Sequence, residues 1–311
     1  MPQPQRMGAG VKDCAGDGCG ATAGNRRRGI GGVNPGAGAL VFVEGFGGQT
    51  GFKMNGVLGL QCEITWEDAE ANGQRLAQWL AARVPLPGTL VVLPEMFSSG
   101  FSLNPAAAAQ RPGGDVETRI AGLALEHGIW IVAGLAVDYK SGPARNEAVV
   151  FSPTGDVVAR YRKRRLFAPG GEHLHYAAGD GPVMFDWGGI PVGLFICYDL
   201  RFPELFRAAA ARWRPELFVV IANWPDTRTA HWVKLLQARA IENQAWVLGV
   251  NRVGEDPSQR YAGRSMLVNP WGETVVDGGE AEGWVEGLPD IESLRRYREK
   301  LPFLDDLKFP C

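Results

Sequence analysis

Ile190-Pro-Val-Gly-Leu-Phe-Ile-Cys-Tyr-Asp-Leu-Arg-Phe-Pro-Glu204 decides how the chain is read, because an apolar run stops abruptly at Cys197. Ile190 to Ile196 has the composition of a buried strand, bounded by Gly188-Gly189. Past the cysteine the residues are charged, and Pro203 stands where the first turn of a helix tolerates proline. The thiol therefore falls at a strand-to-helix junction. In layered α/β proteins the carboxyl ends of strands open on the crevice where ligands bind. Cys197 is then either a small buried hydrophobe or a nucleophile, and other segments must decide between the two.

Working outward, the residues from Gly56 onward alternate strand and helix patterns. Val57 to Cys62 reads as a strand, followed by a helix from about Glu67 to Arg83, capped by Thr65 with Asp68 as the third residue of a capping box. Leu90 to Leu93 is a buried strand that ends at Pro94-Glu95, and a helix is expected over 116–127. Strand Ile129 to Val137 precedes a hairpin, Glu147 to Phe151 and Val157 to Tyr161, joined by Ser152-Pro-Thr-Gly155. Val183 to Phe185 and Ile190 to Ile196 follow, then a helix from Pro203, strand Leu217 to Ala222, a helix over 229–243, strands 246–251 and 264–268, and a closing helix over 291–300. Hairpins mixed with strand-helix-strand units predict sheet layers covered by helices, in one domain over 54–311.

Residues 1–53 differ from the rest: glycine is dense and no period holds. They are expected to be a disordered or non-native extension, with Met54 as the physiological start. Cys14 and Cys19 lack a second Cys/His pair at zinc spacing. A formal charge of -2 over 311 residues leaves no electrostatic footprint for nucleic acid or an anionic membrane. No apolar run is long enough to span a bilayer, and five scattered cysteines read as reduced thiols in a cytoplasmic protein.

Three strand ends, far apart in sequence, each carry one reactive group: Glu95, Lys163 and Cys197. Singly, each has an ordinary reading as a cap, a solvated charge or a core thiol. Together they have complementary chemistry. A free thiol is mostly protonated at neutral pH; a carboxylate can take its proton, and a fixed ammonium stabilises both the thiolate and an oxyanion formed at a carbonyl.

Leu93-Pro-Glu95-Met-Phe-Ser-Ser-Gly-Phe101, Tyr161-Arg-Lys163-Arg-Arg-Leu-Phe167 and Cys197-Tyr-Asp-Leu-Arg-Phe-Pro-Glu204 resemble the three signature motifs of the nitrilase superfamily of carbon-nitrogen hydrolases, in the family's order. Within it, Gly171-Glu-His-Leu-His-Tyr176, Ala222-Asn-Trp-Pro225 and Ala238-Arg-Ala-Ile-Glu-Asn-Gln-Ala245 are similar to the bacterial omega-amidase branch, which acts on 2-oxoglutaramate. The resemblance implies a four-layer α-β-β-α sandwich, a homodimer, and no cofactor or metal. It also implies that Glu95 is the base, Cys197 the nucleophile that forms a thioester, Lys163 and the backbone N–H of Tyr198 the oxyanion partners, and Glu172 the second glutamate.

Substrate contacts are expected from Phe101, His173, Tyr176, Asn223 and Trp224. Arg201 is expected to bond Glu204 or neighbouring carboxylates and shape the turn rather than meet a substrate carboxylate. Deaminated glutathione, an N-carbamoyl amine or a nitrile would suit the same mechanism. A Cys-His hydrolase using His127, His173, His175 or His231 is the competing class.

Overall fold

The computed structural model describes residues 55–308; the expectations for residues 1–53, Cys14 and Cys19 included, lie outside the described residues. The first strands are β1 (Val57–Gln61), β2 (Leu90–Val92), β3 (Trp130–Val137), β4 (Arg145–Phe151) and β5 (Val157–Arg162). They are followed by β6 (Met184–Asp186), β7 (Pro191–Ile196), β8 (Leu217–Ala222) and β9 (Trp246–Asn251). A small pair, β10 (Val253–Glu255) and β11 (Arg260–Ala262), precedes β12 (Met266–Val268), β13 (Thr274–Asp277) and β14 (Gly283–Gly287). Two six-stranded mixed sheets result, in the orders β14-β1-β2-β3-β4-β5 and β13-β12-β9-β8-β7-β6.

Strand alternation explains the layering. In β2, Leu90 and Val92 point to the core shared with the second sheet, whereas Val91 packs with Leu76, Leu80, Ile120 and Ala124. Those four belong to helices α1 (Ala69–Ala82) and α3 (Asp115–His127); the short α2 (Pro105–Ala108) lies between them in the chain. Successive side chains in a strand face opposite sides, so a continuous apolar run is what a sheet buried on both faces requires. On the far side, α4 (Pro203–Trp213) and α5 (Thr229–Asn243) cover the second sheet, with Phe206, Ala209, Leu236 and Ala240 in the same core as β7 to β9. The architecture is the α-β-β-α sandwich. The closing helix is α6 (Ile291–Lys300).

Two local expectations are corrected. The first helix begins at Ala69, not Glu67, and its cap is Asp68, whose side chain accepts from Ala71 N at 2.9 Å. Thr65 is instead held by Asn72, which accepts from Thr65 N and donates to Thr65 O, both at 2.8 Å. The chain also returns after β13 to lay β14 antiparallel against β1, from Val57↔Gly287 to Gln61↔Gly283. That strand was not expected, because Gly283-Trp-Val-Glu-Gly287 carries too little apolar alternation to separate it from a turn.

Candidate active site

β2, β5 and β7 each end beside the next reactive group, as strand-end logic requires. Leu93 and Pro94 carry the chain from β2 to Glu95; Lys163 directly follows β5; Cys197 directly follows β7. Cys197 has φ +45°, in the left-handed region that non-glycine residues seldom occupy. That reversal turns the strand into a 3-10 turn, Cys197–Arg201, ahead of α4.

Asp199 fastens this turn. Its buried carboxylate accepts from Ile196 N at 3.0 Å, Arg165 N at 2.8 Å and Tyr161 Oη at 2.7 Å, tying the Cys197 turn to the segment just past Lys163. Burial raises the Asp199 carboxyl to about 6, against the opposing pull of those donors.

Glu95, Lys163 and Glu172 meet in one buried cluster. Lys163 Nζ donates to Glu95 Oε1 at 2.7 Å and to Glu172 Oε1 and Oε2 at 3.1 and 2.9 Å. The remaining Glu95 oxygen accepts from Asn223 N at 2.8 Å, and Glu172 Oε2 accepts from Phe167 N at 2.6 Å. Burial alone would lower the Lys163 ammonium, but the charges of Glu172 and Glu95 outweigh it and hold the group above the ordinary lysine value. The Cys197 thiol, which donates to Asn223 O at 3.8 Å, is pushed well above its ordinary value, first by burial and then by the Glu95 charge; Lys163 opposes the shift. Among the described residues, no histidine lines the cavity opening on Cys197.

A cavity opens onto Cys197, and Phe101, Lys163, Tyr198, Asn223 and Trp224 line it. Two residues expected at the ligand are placed elsewhere. His173 is exposed, and Tyr176 is buried in a side cluster with Met96 and Ala136, its hydroxyl donating to Ser102 O at 2.8 Å. A third correction concerns Arg201. Glu204 pairs with Arg165, while Arg201 lies over the Trp224 ring at 4.7 Å, contacts His231 Nδ1 and lines the cavity. Arg228, unremarked in the sequence, lines it too, 5.7 Å from the Phe167 ring centroid. Among the described residues neither guanidinium forms an ion pair. Burial and then the Arg228 charge hold Arg201 below its ordinary value.

An α-β-β-α sandwich with this buried Glu-Lys-Glu cluster beside a strand-end cysteine defines a carbon-nitrogen bond hydrolase. The carbon-nitrogen hydrolase family model matches residues 59–299, and the chain belongs to that family. It is 33% identical over 250 residues to the 2-oxoglutaramate amidase of Bacillus subtilis (strain 168), covering 80% of this chain and 96% of that protein. It is 38% identical over 250 residues to the omega-amidase YafV of Escherichia coli (strain K12), covering 79% and 94%. The crystal structure of XC1258 from Xanthomonas campestris, a CN-hydrolase superfamily protein with an arsenic adduct in its active site, superposes with a TM-score of 0.76 at 33% identity over 82% of this chain and 98% of that one. The protein is a hydrolase of this family, acting on carbon-nitrogen bonds. No helix among the described residues is long and apolar enough to cross a membrane.

Proposed function

We propose that the protein hydrolyses the terminal amide of a small omega-amido acid of the 2-oxoglutaramate type, through a thioester on Cys197. The observation that carries the substrate class is the pair of guanidiniums, Arg201 and Arg228, in the wall of the cavity that opens on the nucleophile. Two like charges held together without a carboxylate partner repel, and an anionic substrate end relieves that repulsion. An omega-amido acid has the required shape: a neutral amide at one end and a carboxylate at the other. The names of the relatives point the same way.

In this reading Glu95 accepts the thiol proton as the sulfur attacks the amide carbon. The oxyanion faces the Tyr198 N–H, at the start of the 3-10 turn where backbone donors lack intrahelical partners. Lys163 acts there chiefly through its field, since its three hydrogens are directed at Glu95 and Glu172. Glu95 passes its proton to the departing ammonia, then draws one from water, whose oxygen attacks the thioester carbon; the C–S bond breaks, the acid leaves, and Glu95 returns the proton to the Cys197 sulfur. Glu172 keeps the ammonium in place from the opposite side.

The test is ammonia release from 2-oxoglutaramate compared with a neutral amide of similar length and with a simple nitrile. The acid amide is expected to have the highest kcat/KM. Faster turnover of the neutral amide or the nitrile overturns the substrate assignment. Arg228→Ala is expected to raise KM for the acid amide about 10- to 100-fold, the range of one hydrogen bond to a charged group, with kcat little changed and the neutral amide unaffected. Equal KM changes for both amides would show that the guanidinium does not meet the carboxylate.

A further inference from the structure

Asn146, in the interior of β4, is fully buried and joins the two carboxylates of the site. Its amide nitrogen donates to Glu95 Oε1 at 2.7 Å and to Glu172 Oε1 at 2.8 Å. Its backbone carbonyl accepts from Lys163 N at 2.8 Å. One residue thus joins both carboxylates of the cluster and the backbone of the lysine between them.

An amide nitrogen has two hydrogens and accepts nothing. Both carboxylate oxygens it meets must therefore be acceptors at once, and the remaining partners of Glu95 and Glu172 are donors as well: Lys163 Nζ, Asn223 N and Phe167 N. The cluster is wired for two ionised carboxylates around one ammonium. With the thiol neutral, the site carries one excess negative charge away from water. Neighbouring carboxylates in such surroundings ordinarily share a proton, and a shared proton would disable the base. The Oδ1 of Asn146 has no protein partner, so the side chain is bound to its surroundings through the two donated hydrogens alone.

We propose that Asn146 is a positioning residue that keeps Glu95 ionised beside Glu172, and so sets the pH below which Cys197 loses its base. The proposal rests on Glu95 being that base. Donation to the charged form favours it; removing the donor lets the carboxylate pair hold a proton to higher pH.

The experiment is alkylation of Cys197 by iodoacetamide from about pH 4 to about pH 8, a range spanning the ordinary carboxylate and histidine values. It is followed on the Cys197 peptide by mass spectrometry, so that no amide substrate is needed. Asn146→Asp replaces the donor by a third carboxylate, and Asn146→Ser removes the amide with a small polar side chain. The rising limb is expected to move up by about one unit or more in Asn146→Asp, roughly tenfold slower labelling on the limb, with the high-pH plateau nearly retained. Asn146→Ser should move it in the same direction by less. If the aspartate variant does not fold, as judged by thermal melting, the serine variant decides alone.

A limb at the wild-type pH in the folded variants, whether or not labelling is slowed uniformly, overturns the proposal and leaves Asn146 a packing residue. Failure of the base assignment gives a separate signature, a wild-type alkylation profile in Glu95→Gln.

Discussion

Lys163→Ala is expected to lose about 10²- to 10³-fold in ammonia release, the usual cost of deleting one electrostatic stabiliser of the oxyanion. It is also expected to unfold about 3–5 kcal/mol more easily, the cost of leaving a buried charge without its partner. The second effect follows from the structure. The motif resemblance suggests a variant that is inactive yet folds normally, since it casts the lysine only as an oxyanion partner. In the fold its side chain is sealed between Glu95 and Glu172, with no exposed surface on any of the three. Removing it leaves two buried carboxylates facing a void and strips both of the cationic partner they share. Denaturant unfolding and an ammonia assay on the same preparation check both parts. Wild-type turnover in the folded variant would contradict the assignment of Lys163, and a wild-type unfolding midpoint would contradict the buried charge balance.

The parts of the site legible in the sequence are those at strand ends. Glu95 and Cys197 each follow a run of apolar residues that stops without a gradual change of composition, and such a boundary fixes both the strand and the end on which the reactive group sits; Lys163 follows a hairpin strand whose second half is already basic. The sheet order is partly visible too, because Ser152-Pro-Thr-Gly155 pairs β4 with β5 by turn chemistry alone. Asn146 was not legible. A polar residue inside a strand has no boundary to mark it, and its partners lie 51 and 26 residues away. Arg228 was missed for a related reason: it stands in a 3-10 turn, Asp226–Arg228, whose direction is set by the β8 loop and by α5 rather than by its own neighbours. Tyr176 was misplaced because an aromatic residue near a motif looks the same in sequence whether it walls a cavity or supports the loop behind it. Its hydroxyl bond to Ser102 O shows the second role.

Gly134→Ala, a single added methyl that touches no reactive group, is expected to lower kcat/KM about 100-fold, the cost of displacing a catalytic group by about 1 Å. Gly134 lies in β3 directly beneath the loop that carries Glu95. A Cβ there would stand 2.3 Å from Pro94 O, 2.5 Å from Glu95 Cα and 2.6 Å from Met96 N. All three are backbone atoms, so no side chain can rotate away, and the loop itself must rise. It has little freedom to do so: Phe97 N donates to Gly134 O at 2.7 Å, and Met96 already holds a left-handed φ of +44°. Lifting the loop pulls the Glu95 carboxylate from Lys163 and from Asn223 N, whose bonds are 2.7 and 2.8 Å long. The packing strain should cost about 1–3 kcal/mol or more of stability. Gly122→Ala is the matched control, since Gly122 lies within α3 and a Cβ there meets nothing within 4 Å. That variant should keep full activity and gain roughly 0.5–1 kcal/mol, because alanine loses less backbone freedom than glycine in a helix. The difference between the two substitutions isolates the effect of the loop's position from that of adding a methyl group. Should Gly134→Ala keep the wild-type kcat/KM, the position of Glu95 would tolerate a shift that three buried hydrogen bonds to its carboxylate oxygens oppose, and its assignment as the base would fall with that result.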